Sequence, residues 1–161
     1  APILSADLFG MTATNRDDLN IGQVLERALP YFDYIDPMVY PSHYPRGFNG
    51  YKDPNAHSYD IVKFSMDAAV RRALATTTPI ASFAYTPIPR TSTSSPQLYA
   101  KPSYPASKMR PWLQSFDYPV TYTAAMVREQ IQANEAAGLS SYLFWDPANK
   151  YRALRAALQA Q

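Results

Sequence analysis

The chain has 161 residues and a net charge of +2, from 15 Lys and Arg against 13 Asp and Glu, and a chain of this length makes one domain. Its only adjacent basic pair is Arg71 and Arg72, so it lacks the basic stripe that nucleic-acid binding needs. It has no cysteine, which excludes disulfides and thiol chemistry, and no apolar run long enough to span a bilayer.

Four short apolar segments alternate with helical patterns along the chain. Such alternation is typical of repeated βα units, so the sequence predicts an α/β fold with a parallel sheet. The predicted strands are residues 3–9, 34–40, 109–116 and 141–145.

Each predicted strand is followed by a helical pattern with apolar residues on one face. Gly138 stops the third helix, and Ser58 is the expected cap of the second. The apolar faces are Ile21, Val24, Leu25, Ala28 and Phe32 in the first helix, Ile61, Phe64 and Ala68 in the second, Val127 and Ile131 in the third (about 124–137), and Leu154 and Leu158 in the fourth (151–160).

The gap between the second and third strands is longer than the roughly 30 residues of a βα unit. The excess is rich in Pro, Ser and Thr and has no period, so it predicts an inserted loop at about residues 87–107 in a single domain 1–161. The string IASFAY, just upstream, is expected to add a short edge strand.

Four parallel strands leave two open sheet edges whose backbone groups need partners. Three arrangements satisfy them: another copy of the chain, an N-terminal half that closes a barrel, or a small open sandwich. The residues alone leave these alternatives open.

Aspartates beside the predicted strands are the candidate catalytic groups, because all three Glu lie within helical patterns. Active sites of βα barrels form at the carboxyl ends of the strands, and Asp7 is the best placed. By strand alternation, Asp7, Tyr40, Gln114 and Trp145 are predicted to line the mouth of the site. Carboxylate, phenol, amide and indole groups suit a sugar, although buried polar and aromatic residues are also common structural groups.

The loop of residues 40–57 is long and aromatic, as functional loops often are, and it holds both histidines, His43 and His57. A metal site built on these two and an Asp is an alternative that their spacing does not favour, so no metal is expected. No dinucleotide, nucleotide or serine-hydrolase motif occurs, and no cofactor is expected.

The strings DYIDPMVYPSHYPRGFNGYKDPNAHSYDIV, KMRPWLQSFDY and LFWDPANKY, which follow LSADLFG, resemble a bacterial glycoside hydrolase domain family distantly related to the alpha-amylase superfamily. The resemblance covers nearly the whole chain except the insertion. It implies half of a (β/α)8 TIM-type barrel, in which the four strands here are the fifth to eighth and the first four lie outside this chain.

The resemblance also implies roles for individual residues. Asp7 matches the proton donor by its strand, while the nucleophile of the superfamily has no counterpart here. Asp117 and Asp146 are fallback carboxylates, although both also suit loop caps. The residues expected to position sugar are Tyr40, His43, Trp112, Gln114, Asp117, Trp145 and Asp146.

The expected function is hydrolysis or binding of a polysaccharide by a carbohydrate-active protein. The alternative is a non-catalytic half-barrel that assembles with a second copy or with the other half of the barrel, or a glycan-binding module. The resemblance further implies an extracellular or cell-envelope location.

Overall fold

A computed structural model describes residues 2–93 and 95–159. Within these residues the chain forms seven β-strands and four α-helices. In chain order they are β1 (Ser5–Phe9), α1 (Leu25–Ala28), β2 (Tyr34–Val39), α2 (Ser58–Leu74), β3 (Thr77–Thr78), β4 (Thr86–Pro87), β5 (Tyr99–Ala100), β6 (Trp112–Gln114), α3 (Ala124–Ala136), β7 (Leu143–Trp145) and α4 (Arg152–Gln159).

The central sheet contains four parallel strands in the order β1-β2-β6-β7. These are the four strands that the apolar segments predict, and helices lie between them, which confirms the α/β class with half-barrel-like βα units. The observed strands are shorter than predicted. Met109, for example, precedes β6 and makes only an isolated bridge with Ile35.

The two faces of this sheet have opposite surroundings. Leu8, Ile35 and Leu113 belong to the face that packs against the helices, and they form the main core with residues of α2. On the other face Asp7 is exposed and Trp145 is 45% exposed. Because neighbouring side chains of a strand point to opposite faces, the sheet is covered by helices on one face and open on the other.

The first helix is a single turn, not the long helix that the pattern of residues 21–32 predicts. Leu19 and Asn20 have positive φ, and Gly22 follows them, so the chain before Val24 turns and is not helical. Pro30 comes directly after Leu29, the residue that caps the helical turn, and it cannot continue the hydrogen-bond pattern of the helix. As a result Ile21 is 52% exposed and contributes nothing to a buried face.

Of the other helices, α2 and α4 differ from expectation in detail. Ser58 starts α2, but its side chain makes no capping bond, and Phe64 is exposed on that helix. The third helix agrees: Val127 and Ile131 are buried, and Gly138 follows the helix with a φ of 82°. In α4, Leu154 is partly buried against a small core cluster, whereas Leu158 is 48% exposed.

The long connection between α2 and β6 is not an unstructured loop. Its three two-residue strands form an antiparallel sheet in the order β3-β5-β4, while residues 80–85 (IASFAY) contain no strand. Lys101 fixes the connection to α2, since its Nζ donates to the carbonyl of Ala73 at 2.8 Å. Burial lowers the pKa of Lys101 from its ordinary value.

A buried ion pair ties the first helical turn to α2. Nε of Arg72 donates to Oε1 of Glu26 at 2.8 Å, and its other guanidinium nitrogens reach Oε2 of Glu26 and the carbonyls of Thr12, Ala13 and Asn15. Both side chains are nearly inaccessible to solvent. The segment after β1 is therefore held against the helical layer by one arginine.

Candidate functional site

Asp7 is the middle residue of β1 and lies on the open face of the central sheet. Its Oδ1 accepts a 2.8 Å hydrogen bond from the indole Nε1 of Trp112. The carboxylate is exposed, so it is open to a ligand while its position is fixed by a neighbour.

The carboxylate nearest to Asp7 along the sheet, that of Asp36, is engaged by an arginine. Asp36 faces Asp7 in the β1–β2 register, but it is only 1% exposed and pairs with the guanidinium of Arg110 at 3.0 Å. That guanidinium also lies over the ring of Tyr34, 4.2 Å from its centroid. Asp36 and Arg110 thus form a structural pair next to the exposed Asp7.

Two tryptophans form an aromatic surface beside Asp7. The rings of Trp112 and Trp145 meet edge to face, with centroids 6.1 Å apart and an interplanar angle of 86°. Such contacts fix the rings, and an exposed indole face is a suitable platform for the apolar face of a sugar ring. Both tryptophans were predicted from the sequence, and their binding role stays a prediction.

Tyr40 lies just after β2, and its phenol is kept neutral. Burial raises the pKa of Tyr40 most strongly, and the nearby groups Asp7 and Tyr151 raise it further. The three side chains therefore lie near one another. Sequence reasoning missed Tyr151, although it stands at the end of the conspicuous string LFWDPANKY.

Gln114 is fully buried, and the hydrogen-bonding groups of its side-chain amide all have partners within the protein. Oε1 accepts from the backbone N–H and the hydroxyl of Ser42, at 3.3 and 2.9 Å, and Nε2 donates to the carbonyls of Phe116 and Tyr118. An amide offers two donors and two acceptor sites, so none is left for a ligand. The observed bonds give Gln114 a positioning role between two loops, and direct sugar contact stays a prediction.

His43 belongs to an aromatic cluster above β2 and β6. Its ring lies 5.6 to 6.0 Å from the rings of Tyr40, Phe116 and Tyr118, and its Nδ1 is 2.9 Å from the hydroxyl of Ser42. The cluster brings His43 to the site, as predicted. His57 lies elsewhere, stacked on the ring of Tyr51 with centroids 3.9 Å apart.

The two fallback carboxylates support loops. Asp146 is 7% exposed and accepts from the backbone N–H groups of Ala148, Lys150 and Tyr151 at 2.8 to 3.1 Å. Asp117 accepts from the N–H of Tyr122 at 2.7 Å. These bonds are those of loop-organising aspartates, and a substrate contact by either residue stays a prediction.

A cavity of about 640 Å³ lies between the loops that follow β6 and β7. Both fallback aspartates and His43 line it. The other charged residues in its wall, Lys150 and Arg152, were not singled out by sequence reasoning, because isolated basic residues carry no pattern. Within residues 2–93 and 95–159 there is no group of three or more His, Asp or Glu that could hold a metal ion, and no helix long and apolar enough to cross a membrane.

Comparison with known proteins identifies the family of the chain. Neither the curated proteins nor the solved structures that were searched gave a match. A family model described as "Putative glycosyl hydrolase domain" matches residues 2–151, which is nearly the whole chain. The chain therefore belongs to this glycosyl hydrolase-like family.

Proposed function

We propose that the chain is a carbohydrate-active domain that binds a polysaccharide on the open face of its central sheet and cleaves it with Asp7 as the proton donor. The observation that carries the proposal is the exposed Asp7 carboxylate, fixed by Trp112 and flanked by the ring of Trp145. Family membership supports the same chemistry. Export to the cell envelope or the extracellular space is part of the proposal.

The side chains near Asp7 match the needs of a sugar. Indole rings pack against the apolar face of a pyranose, while the carboxylate and the neutral phenol of Tyr40 exchange hydrogen bonds with its hydroxyls. The rings of Phe116 and His43 pack against the ring of Tyr40 and add further aromatic groups. A chain of several sugar units therefore fits this arrangement better than a single small molecule.

Hydrolysis of a glycosidic bond needs a second carboxyl group. The two groups lie about 5 to 5.5 Å apart in retaining enzymes and roughly 6.5 to 9.5 Å apart in inverting enzymes. Asp36 is adjacent to Asp7 but is paired with Arg110, so it does not serve. We propose that the second carboxylate comes from the partner that covers the open face.

Closure of the sheet by a second copy of this chain supplies such a partner. β1 and β7 are the edges of a four-stranded parallel sheet, and two such sheets joined edge to edge make the eight strands of a (β/α)8 barrel. The second copy would then bring its own Asp7. In the wider superfamily scheme the four strands would occupy the positions of the fifth to eighth.

The test of catalysis is the release of reducing ends from a panel of polysaccharides. We expect activity that Asp7→Asn abolishes, because the amide cannot donate the required proton. Asp17→Asn, at an exposed position in the loop after β1, is the matched control and should leave activity unchanged. Activity that survives Asp7→Asn would show that Asp7 is not the acid.

The competing function is glycan binding without cleavage. It is favoured by the absence of a free second carboxylate beside Asp7 on the described open face. In that case no polysaccharide releases reducing ends, yet Trp145→Ala weakens binding in affinity electrophoresis while Phe83→Ala, at an exposed aromatic on another surface, does not. If neither substitution weakened binding, both functions would be refuted for this face.

Light scattering after size exclusion tests closure by a second copy. A mass of about twice the 18.1 kDa of the chain is expected for paired sheets. A mass equal to one chain at all concentrations would contradict the pairing, and the other half of the barrel would then have to come from a different polypeptide segment.

A further inference from the structure

The cavity beyond β6 and β7 is a site separate from the Asp7 carboxylate. Its wall includes Ser115, Phe116 and Tyr118 from the loop after β6, and Lys150 and Arg152 from the loop after β7 and the start of α4. Asp7, Trp112 and Trp145 are not part of this wall. A volume of about 640 Å³ is within the range of small-molecule sites.

The cavity offers cationic donors that the protein leaves unused. Within the described residues, no ion pair or side-chain hydrogen bond engages Nζ of Lys150 or the guanidinium of Arg152. The two carboxylates in the wall differ from them, because Asp146 accepts three backbone N–H groups and Asp117 accepts one. The free donors of this site are therefore the two positively charged groups, while Asp117 keeps acceptor capacity of its own.

Two further features favour an anionic ligand. Helix α4 begins at Arg152, and the first N–H groups of a helix have no partner within it and carry a partial positive charge. Ser115 lines the same cavity, is only 4% exposed, and its hydroxyl has no hydrogen-bond partner in the described structure. A buried unpaired hydroxyl is costly, and a bound acceptor oxygen would relieve that cost.

The loop between β7 and α4 is held in a strained form at this place. Asn149 and Tyr151 have φ angles of 52° and 49°, in the left-handed region that non-glycine residues rarely adopt. The carboxylate of Asp146 holds the loop through the N–H groups of Lys150 and Tyr151. Strain of this kind is found at ligand clamps, where the surrounding structure maintains it.

We propose that this cavity binds the carboxylate of a uronic-acid unit, with Lys150 and Arg152 as its partners, so that the substrate is an acidic polysaccharide. This inference rests on the proposed function and names its substrate class. The aromatic residues Phe116 and Tyr118 pack against the sugar ring, and Asp7 lies toward the neighbouring unit of the glycan.

Affinity electrophoresis of the whole chain tests the proposal with three probes: polygalacturonate, dextran sulfate and neutral dextran. We expect retardation by polygalacturonate, and a loss of affinity of roughly tenfold or more in the double variant Lys150→Gln/Arg152→Gln. Arg155→Gln, one turn further along α4 and outside the cavity wall, is the control that should bind as the unaltered chain does.

Each other outcome overturns a defined part of the proposal. Equal binding of dextran sulfate would show that any anionic glycan suffices and would refute the choice of a carboxylate. Binding of neutral dextran that Trp145→Ala weakens, and that the double variant leaves unchanged, would refute the acidic site while the proposed function stands. Binding of no glycan in any variant would refute both.

Discussion

The indole nitrogen of Trp112 donates to the carboxylate of Asp7 although their strands are not neighbours in the sheet. β2 lies between β1 and β6, so the two backbones are separated by two strand spacings of about 4.8 Å each. A bond of 2.8 Å between their side chains requires both to lean over β2 on the same face. The bond therefore ties the first and third strands of the sheet together across its open face.

Removal of this indole donor is expected to lower activity without unfolding the chain. Trp112→Phe keeps an aromatic ring but loses the N–H group that fixes Asp7. A hydrogen bond to a charged group contributes about 1.5–3 kcal/mol, so turnover on the best substrate should fall roughly tenfold or more. Trp145→Phe is the matched control, because no described hydrogen bond engages its indole nitrogen. Equal effects of the two substitutions on kcat would refute a role of Trp112 in fixing Asp7.

Loss of the buried arginine of α2 should destabilise the chain strongly. Arg72→Met leaves the buried Glu26 carboxylate with only the 4.0 Å contact to the exposed Arg16, so we expect a loss of about 3–5 kcal/mol in the free energy of unfolding. Urea unfolding followed by circular dichroism measures this cost. Arg71→Met, at the exposed neighbouring position, is the control and should change stability little.

A double substitution distinguishes the effect of the unpaired charge from the effect of lost packing at the Glu26–Arg72 pair. Glu26→Leu/Arg72→Met removes both charges and should be more stable than Arg72→Met alone. If the double variant were the less stable of the two, the cost would come from lost contacts to the carbonyls of Thr12 and Ala13 and not from an unpaired carboxylate.

Gly10 is expected to tolerate no side chain. A Cβ at this position would lie 2.3 Å from the carbonyl oxygen of Met38 and 2.9 Å from the hydroxyl of Tyr44, and the first of these is backbone. Gly10→Ala should therefore lower the free energy of unfolding by about 1–3 kcal/mol. Ser5→Ala, at an exposed position of the strand that precedes Gly10, should change it by less than about 0.5 kcal/mol. A Gly10→Ala variant as stable as the parent chain would show that β1 and β2 can move apart at no cost.

Stability should fall at alkaline pH because of buried tyrosines. Burial raises the pKa of Tyr40, Tyr44, Tyr85 and Tyr122 above the ordinary value of 10.0. Below pH 10 these phenols are neutral in both the folded and the unfolded chain, so their contribution to the free energy of unfolding is fully present. Above it the unfolded chain releases protons that the folded chain retains, and stability declines as the pH rises toward the folded values.

Absorbance of the phenolate ion measures this directly. In denaturant all tyrosines should titrate near pH 10, whereas in the folded chain part of the signal should appear only at higher pH, together with unfolding. Complete titration near pH 10 with the fold intact would contradict the burial of these four phenols.

The sequence by itself determined the features that depend on local pattern. Alternating apolar segments located all four strands of the parallel sheet, and strand alternation placed Asp7 on the face opposite Leu8. The extent of α3 also followed, because its apolar pattern stops at Gly138. These features follow from interactions between residues close in the chain, which leave a period or a terminal signal in the sequence.

Only the tertiary structure decided the features that depend on distant partners. The side-chain amide of Gln114 is fully hydrogen-bonded by residues of two loops. Lys150 and Tyr151 are positioned by the hydrogen bonds from their N–H groups to Asp146. The antiparallel sheet within the long connection forms between strands of two residues, too short to show a period. Such contacts join residues far apart in the chain or depend on single side chains, so no repeating pattern records them, and they become visible only when the chain is folded.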